Sequence, residues 1–183
     1  MTSAASVSGD ERLRLFLALR LPDDVLDDVE RWQHAELTGV RVVPRQHLHV
    51  TLAFLGHRPA GELDSILEAL RDAAAGAGEI RLAASRYRET RSVGMLVLED
   101  AGGHAALLAG DVQDRLERLG AYRREGRPWL PHLTVARWRK RSGLRLEPPP
   151  TGTFVPSDAA AYLSRLHPDG ARYEVLESVA LGG

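Results

Sequence analysis

Two stretches decide how this chain is read: Leu48-His49-Val50-Thr51-Leu52-Ala53-Phe54-Leu55-Gly56, and Arg127-Pro128-Trp129-Leu130-Pro131-His132-Leu133-Thr134-Val135-Ala136-Arg137. Each contains His-x-Thr-x with apolar residues at the intervening positions, the two-residue period of a strand. Side chains alternate along a strand, so His49 and Thr51 share one face and His132 and Thr134 share another. Val50, Leu52, Leu133 and Val135 point the opposite way, toward a core. Phe54 continues the apolar row of Leu48, Val50 and Leu52 and is expected to be buried with it. The two histidines are 83 positions apart and each strand follows a helical pattern, which predicts two halves of similar build facing each other across a groove.

The same periodicities extend outward. Leu13, Leu15, Leu17 and Leu19 mark a strand over residues 12–21, which Pro22 ends. A helix over 23–37 follows, with Asp23 and Asp24 suited to its positive end and Val25, Leu26, Val29 and Trp32 at helical spacing. Residues 40–43 form a short extended piece, and Gly56 stops the first motif strand. A helix over 61–75 carries the stripe Leu63, Ile66, Leu67 and Leu70. Strands over 80–90 and 93–99 pair, and a helix over 104–119 repeats Leu107, Leu108, Val112, Leu116 and Leu119. The second motif strand covers 130–138. Residues 139–152, with Gly143 and Pro148 to Pro150, read as a loop. Two strands, 158–166 and 172–181, close the chain around the turn His167-Pro168-Asp169-Gly170. Hairpins mixed with helical crossovers predict an α+β fold. Residues 1–11 read as a frayed tail and 12–183 as one two-lobed domain.

Composition narrows the function. With 183 residues, 44% hydrophobic and 27% charged, the chain can build a sizeable core. It has no cysteine, which removes disulfides, thiolate metal sites and cysteine nucleophiles, and suits a reducing, cytoplasmic setting. No apolar run approaches the roughly 20 residues of a membrane-spanning helix, and the first ten residues lack the form of a secretion signal. The net charge of −1 conceals an uneven distribution. Acidic residues crowd 23–30, whereas Arg123, Arg124, Arg127, Arg137, Arg139, Lys140, Arg141 and Arg145 fall in one stretch. That stretch is either an anion-binding surface or a solvated basic loop. No Gly-rich phosphate loop, Gly-x-Ser-x-Gly elbow or His-Glu-x-x-His helix is present.

A pair of imidazoles on opposite sides of one group suits in-line displacement at phosphorus. One removes a proton from the attacking oxygen and the other protonates the departing one. Thr51 and Thr134 supply hydroxyl donors, and Arg137 a cation, for the non-bridging oxygens. Arg137 is five residues after His132, an offset that reverses face in a regular strand, so a bulge or twist must bring it round. His47 shares a face with His49 and competes with it for the first role. A metal held by His47 and His49 lacks a third ligand nearby in sequence. Trp129 either stacks on a base or packs in the core, and Tyr173 either meets the cleft or fills an apolar layer.

These segments, with the opening Leu15-Phe16-Leu17-Ala18-Leu19 and the ending from Ser164 to Leu176, resemble the two-histidine (2H) phosphoesterase superfamily. Within it the chain is most similar to the bacterial and archaeal RNA 2′,3′-cyclic phosphodiesterases, also called 2′-5′ RNA ligases. The resemblance implies a bilobal, pseudo-symmetric α+β fold, with two antiparallel-rich sheets flanking a central cleft and helices outside. It implies that His49 protonates the leaving 3′ oxygen, that His132 activates water, and that Thr51, Thr134 and Arg137 bind phosphate. The substrate would be RNA with a 2′,3′-cyclic phosphate end, or another small cyclic phosphate, hydrolysed by a monomer without metal or cofactor. End joining through a 2′-5′ bond, or RNA binding without chemistry, are the alternatives.

Overall fold

The structure is a computed structural model that describes residues 11–182; the expected tail therefore falls almost wholly outside the described residues. Leu15, Leu17 and Leu19 bury one face of β1 (Arg12–Arg20) completely, and Phe16 and Ala18 cover its other face. Helix α1 (Asp23–Glu36) begins after Pro22 with Asp23 and Asp24 in its first turn, where the helix dipole favours acid. A short strand β2 (Arg41–Val42) and a 3₁₀ turn, Arg45–His47, lead to β3 (Val50–Pro59). Helix α2 (Leu63–Ala75) is followed by the hairpin β4 (Arg81–Glu89) and β5 (Val93–Ala101). Helix α3 (His104–Arg118) starts where the Asp100 carboxylate accepts the N–H groups of Ala105 and Ala106. The chain ends with β6 (His132–Arg137), β7 (Thr153–Phe154), β8 (Asp158–His167) and β9 (Gly170–Val179).

Two antiparallel sheets result, one ordered β3-β1-β8-β9 and the other β2-β6-β5-β4-β7. Each contributes one motif strand, and the helices pack against the faces turned from the cleft. The continuous core lies between helices and sheets. A separate apolar group, Phe16, Ala18, Ala160 and Tyr162 with Tyr173 against it, paves the cleft face of the first sheet.

Two strand boundaries are corrected. Gly56 does not stop the first motif strand, because at φ +66 it lies within β3, which runs on to Pro59. The second motif strand is shorter than its pattern, since Pro131 has no N–H to continue the ladder. Just past the expected loop of residues 139–152, Phe154 is buried at the sheet edge and draws Thr153 into β7, a strand the periodicity did not signal.

Both motif strands are bulged at the same place. Leu17 faces Ala53 and Ala18 faces Thr51, leaving Leu52 as the extra residue in β3. Gly94 faces Ala136 and Met95 faces Thr134, leaving Val135 as the extra residue in β6. At each bulge two successive residues are buried, Leu52 with Ala53 and Val135 with Ala136. The residue three beyond each threonine then faces the cleft. In β6 this is Arg137, as the chemistry required. In β3 it is Phe54, which is 48% exposed and not in the core. The alternation that buried Phe54 on paper fails at Leu52.

Candidate active site

The bulges are held by two buried glutamines. Gln113 of α3 donates its side-chain N–H to the carbonyl of Leu52 at 2.9 Å, and Gln33 of α1 donates to those of Val135 and Val43, both at 2.9 Å. They are only 5% and 2% exposed, and they face carbonyls in the irregular part of each motif strand. The indole N–H of Trp129 reaches the Thr51 carbonyl at 3.0 Å, linking the approach to β6 with β3. Trp129 therefore ties the two motif strands together, which decides its alternatives in favour of packing.

His49, Thr51, His132, Thr134 and Arg137 all line one cleft of about 510 Å³ between the sheets. The histidines are anchored identically. Nδ1 of His49 is 2.8 Å from the carbonyl of His47, and Nδ1 of His132 is 2.8 Å from that of Leu130. A carbonyl only accepts, so each Nδ1 carries a proton and each Nε2 is the atom left to exchange one. Among the described residues neither threonine hydroxyl has a protein hydrogen-bond partner, which leaves both for a ligand. These anchoring carbonyls carry no side-chain signature, and sequence reading missed them. The pair of apolar residues after each threonine, Leu52-Ala53 and Val135-Ala136, was the available sign of the bulges.

His49 rests on the aromatic floor, its ring 4.8 Å from Phe16, 5.8 Å from Tyr173 and 5.9 Å from Tyr162. Burial there pushes its pKa down to about 4. The bond to the His47 carbonyl opposes this, and the nearby His47, Arg137 and His132 reinforce it. His47 sits in the 3₁₀ turn with its ring 4.3 Å from Tyr173, and burial followed by Arg137 lowers its pKa too. His47 thus meets the cleft, and its backbone anchors His49. Tyr173 meets the cleft as well. Among the described residues no three His, Cys, Asp or Glu side chains are grouped to hold a metal ion.

The cleft is positive although the chain is not. Arg14, Arg41 and Arg137 line it without a carboxylate partner among the described residues, and the lining carboxylate, Asp169, is held by Arg172 at 3.2 Å. Much of the arginine-rich stretch is spent elsewhere: Arg124 pairs with Asp114, Arg127 with Glu125 and Arg141 with Glu89. Of that stretch only Arg137 lines the cleft. Arg14 and Arg41, which sequence reading passed over, lie in regular strands where polar residues read as solvent-facing.

Two sheets that each present a His-x-Thr strand to a shared positive cleft define the class of the two-histidine phosphoesterases. The family model described as the 2′-5′ RNA ligase superfamily matches residues 21–148. An RNA 2′,3′-cyclic phosphodiesterase of Thermus thermophilus is 34% identical over 188 residues, spanning 93% of this chain and 91% of its own length. Its counterpart of the same name in Methanocaldococcus jannaschii is 25% identical, spanning 90% and 99%. The chain belongs to the 2′-5′ RNA ligase superfamily. Among solved structures, Thermus thermophilus TT0787 superposes with a TM-score of 0.78 at 30% identity, covering 93% of this chain and 99% of that one. Escherichia coli LigT complexed with 3′-AMP superposes at 0.81, covering 94% and 100%; at 22% identity it attests to the fold.

Proposed function

We propose that this protein hydrolyses RNA 2′,3′-cyclic phosphate ends to 2′-phosphomonoesters. The observation that carries this reading is the matched pair of Nδ1-anchored imidazoles in one cleft with two unengaged threonine hydroxyls and Arg137. The curated relatives above bear the name of that activity.

Nε2 of His132 takes a proton from water as its oxygen attacks phosphorus. The bond from phosphorus to the 3′ oxygen breaks, and Nε2–H of His49 protonates that oxygen. Thr51, Thr134 and Arg137 donate to the non-bridging oxygens as negative charge grows on them. His49 is neutral near pH 7 in the empty cleft, so as the acid it takes up a proton when the phosphate anion arrives beside it. Every group comes from one chain, so a monomer suffices and no metal enters the steps. The reverse direction, with an RNA 5′-hydroxyl in place of water, would use the same groups and form a 2′-5′ bond. No helix among the described residues is long and apolar enough to cross a membrane, and we place the protein in the cytoplasm with its RNA.

The test is incubation with a short RNA ending in a 2′,3′-cyclic phosphate, EDTA present, with the 2′- and 3′-phosphate products resolved. Formation of the 2′-phosphate, lost in both His49→Ala and His132→Ala, is expected. A 3′-phosphate product, or turnover that survives either substitution, would overturn the mechanism. RNA binding without conversion would favour a binding protein.

A further inference from the structure

The cleft extends past the paired histidines, along the paved face of the first sheet. We propose that Arg14 is the centre of a second phosphate site, which binds the phosphodiester joining the terminal nucleotide of an RNA end to the nucleotide before it. The inference rests on the reaction proposed above and names the substrate it favours: a chain end, in preference to a free nucleoside cyclic phosphate.

Distance supports it first. Arg14 is two residues before Phe16 on the same face of β1, and the Phe16 ring is 4.8 Å from that of His49. Two residues of strand advance about 7 Å, which is one nucleotide step away from the reaction centre. Preparation of the side chain supports it next. An N–H of Arg14 donates to the hydroxyl of Ser164 at 2.6 Å, and its guanidinium lies over the Phe54 ring, 4.7 Å from the centroid. Ser164 is itself buried. The side chain is therefore held in place while most of its donors are left over.

Charge completes the argument. Among the described residues twelve of the 23 arginines pair with carboxylates, and Arg14 is one of only three unpaired ones, with Arg41 and Arg137, that line the cleft. A half-buried, pre-oriented and unneutralised guanidinium in a substrate cleft is built for an anion. Beyond it the sheet face opens into an adjoining hollow that also borders Glu11, Arg12, His57 and His167. Arg12 donates to the His57 carbonyl at 2.8 Å and likewise has no carboxylate partner among the described residues. Arg14 and then Arg12 thus mark a line leading away from the histidines in the direction a longer strand would take. A nucleoside cyclic phosphate has no second phosphate to offer it.

The experiment compares kcat/KM for three substrates: a nucleoside 2′,3′-cyclic phosphate, the same compound with a 5′-phosphate, and a dinucleotide with a 2′,3′-cyclic end. Wild type, Arg14→Gln and Arg14→Lys are assayed, with thermal melting to verify folding. We expect wild type to prefer the two substrates with a second phosphate by about tenfold or more. Arg14→Gln should abolish that preference through KM, and Arg14→Lys should keep part of it. For the dinucleotide, the slope of log affinity against log salt should fall by about 0.7 in Arg14→Gln, as for one lost phosphate contact on a single strand. No preference in wild type, or an equal loss on all three substrates in Arg14→Gln, would overturn the site. If wild type turns over none of them, the reaction is wrong and binding decides the site. A 3′-phosphorylated dinucleotide must then bind more weakly to Arg14→Gln than to wild type, and equal binding rejects the site.

Discussion

Burial of His49 makes a quantitative statement about stability. Its pKa falls from 6.5 to about 4 on folding, because Phe16, Tyr162 and Tyr173 take the place of water around the ring. Each tenfold change in proton affinity is worth about 1.36 kcal/mol, so the displacement amounts to about 3 kcal/mol. Between pH 6.5 and about 4 the unfolded chain binds this proton and the native protein does not. Stability contributed by neutral His49 is therefore complete above 6.5, declines as pH falls through that window, and changes no further below about 4. The perturbation is His49→Asn, which removes the titration. Urea unfolding of both proteins across the window gives two curves of free energy against pH. Their difference should close by about 3 kcal/mol toward low pH, wild type losing more than the variant. Parallel curves would show that His49 titrates alike in both states and would refute the burial argument. His47 titrates in both proteins, and its repulsion of a charged His49 is one part of the difference the two curves read.

Three further outcomes are expected. Gln113→Leu leaves the Leu52 carbonyl without its buried donor and should cost about 1 to 3 kcal/mol in unfolding free energy; a neutral result would mean that the bulge holds itself. Burial pushes the Glu89 carboxyl up, but the Ser142 hydroxyl and the N–H groups of Gly143 and Leu144 outweigh it and hold the carboxyl below its ordinary value. Glu89→Ala should thus release this loop and speed tryptic cleavage at Arg139, Lys140 and Arg141, and unchanged cleavage would count against the anchor. A Cβ at Gly94 would stand 2.6 Å from the Tyr87 hydroxyl and 2.8 Å from the Trp138 ring, so Gly94→Ala should lower stability by about 1 to 3 kcal/mol, read as a shift in the urea midpoint.

The helices and the first strand were legible because local rules govern them, whereas the ends of both motif strands were not. Leu13 to Leu19 alternate, α1 follows Pro22 with acid in its first turn, and α3 buries Leu108, Val112 and Leu116 of its expected stripe while Leu107 and Leu119 stay exposed. The motif pairs were legible for the same reason, since His-x-Thr on a strand places both polar groups together. The face of residues beyond a bulge was not. Arg137 required a bulge on chemical grounds and has one, whereas Phe54 offered no such ground and was assigned to the wrong face. One extra residue in the ladder reverses everything after it, and ladder pairing is a property of two strands.

What this sequence by itself determined is the α+β order of elements, the two His-x-Thr strands and the membership they announce, all set by short-range periodicity and residue chemistry. Only the tertiary structure decided what each of those groups can do. It supplied backbone carbonyls that orient both imidazoles, aromatic rings that hold His49 neutral, and glutamines that reach the bulged strands from two helices. It also determined which arginines are neutralised and which are left facing the cleft. Those properties depend on distance through space and on exclusion of water, and both arise only when residues far apart in the chain are packed together.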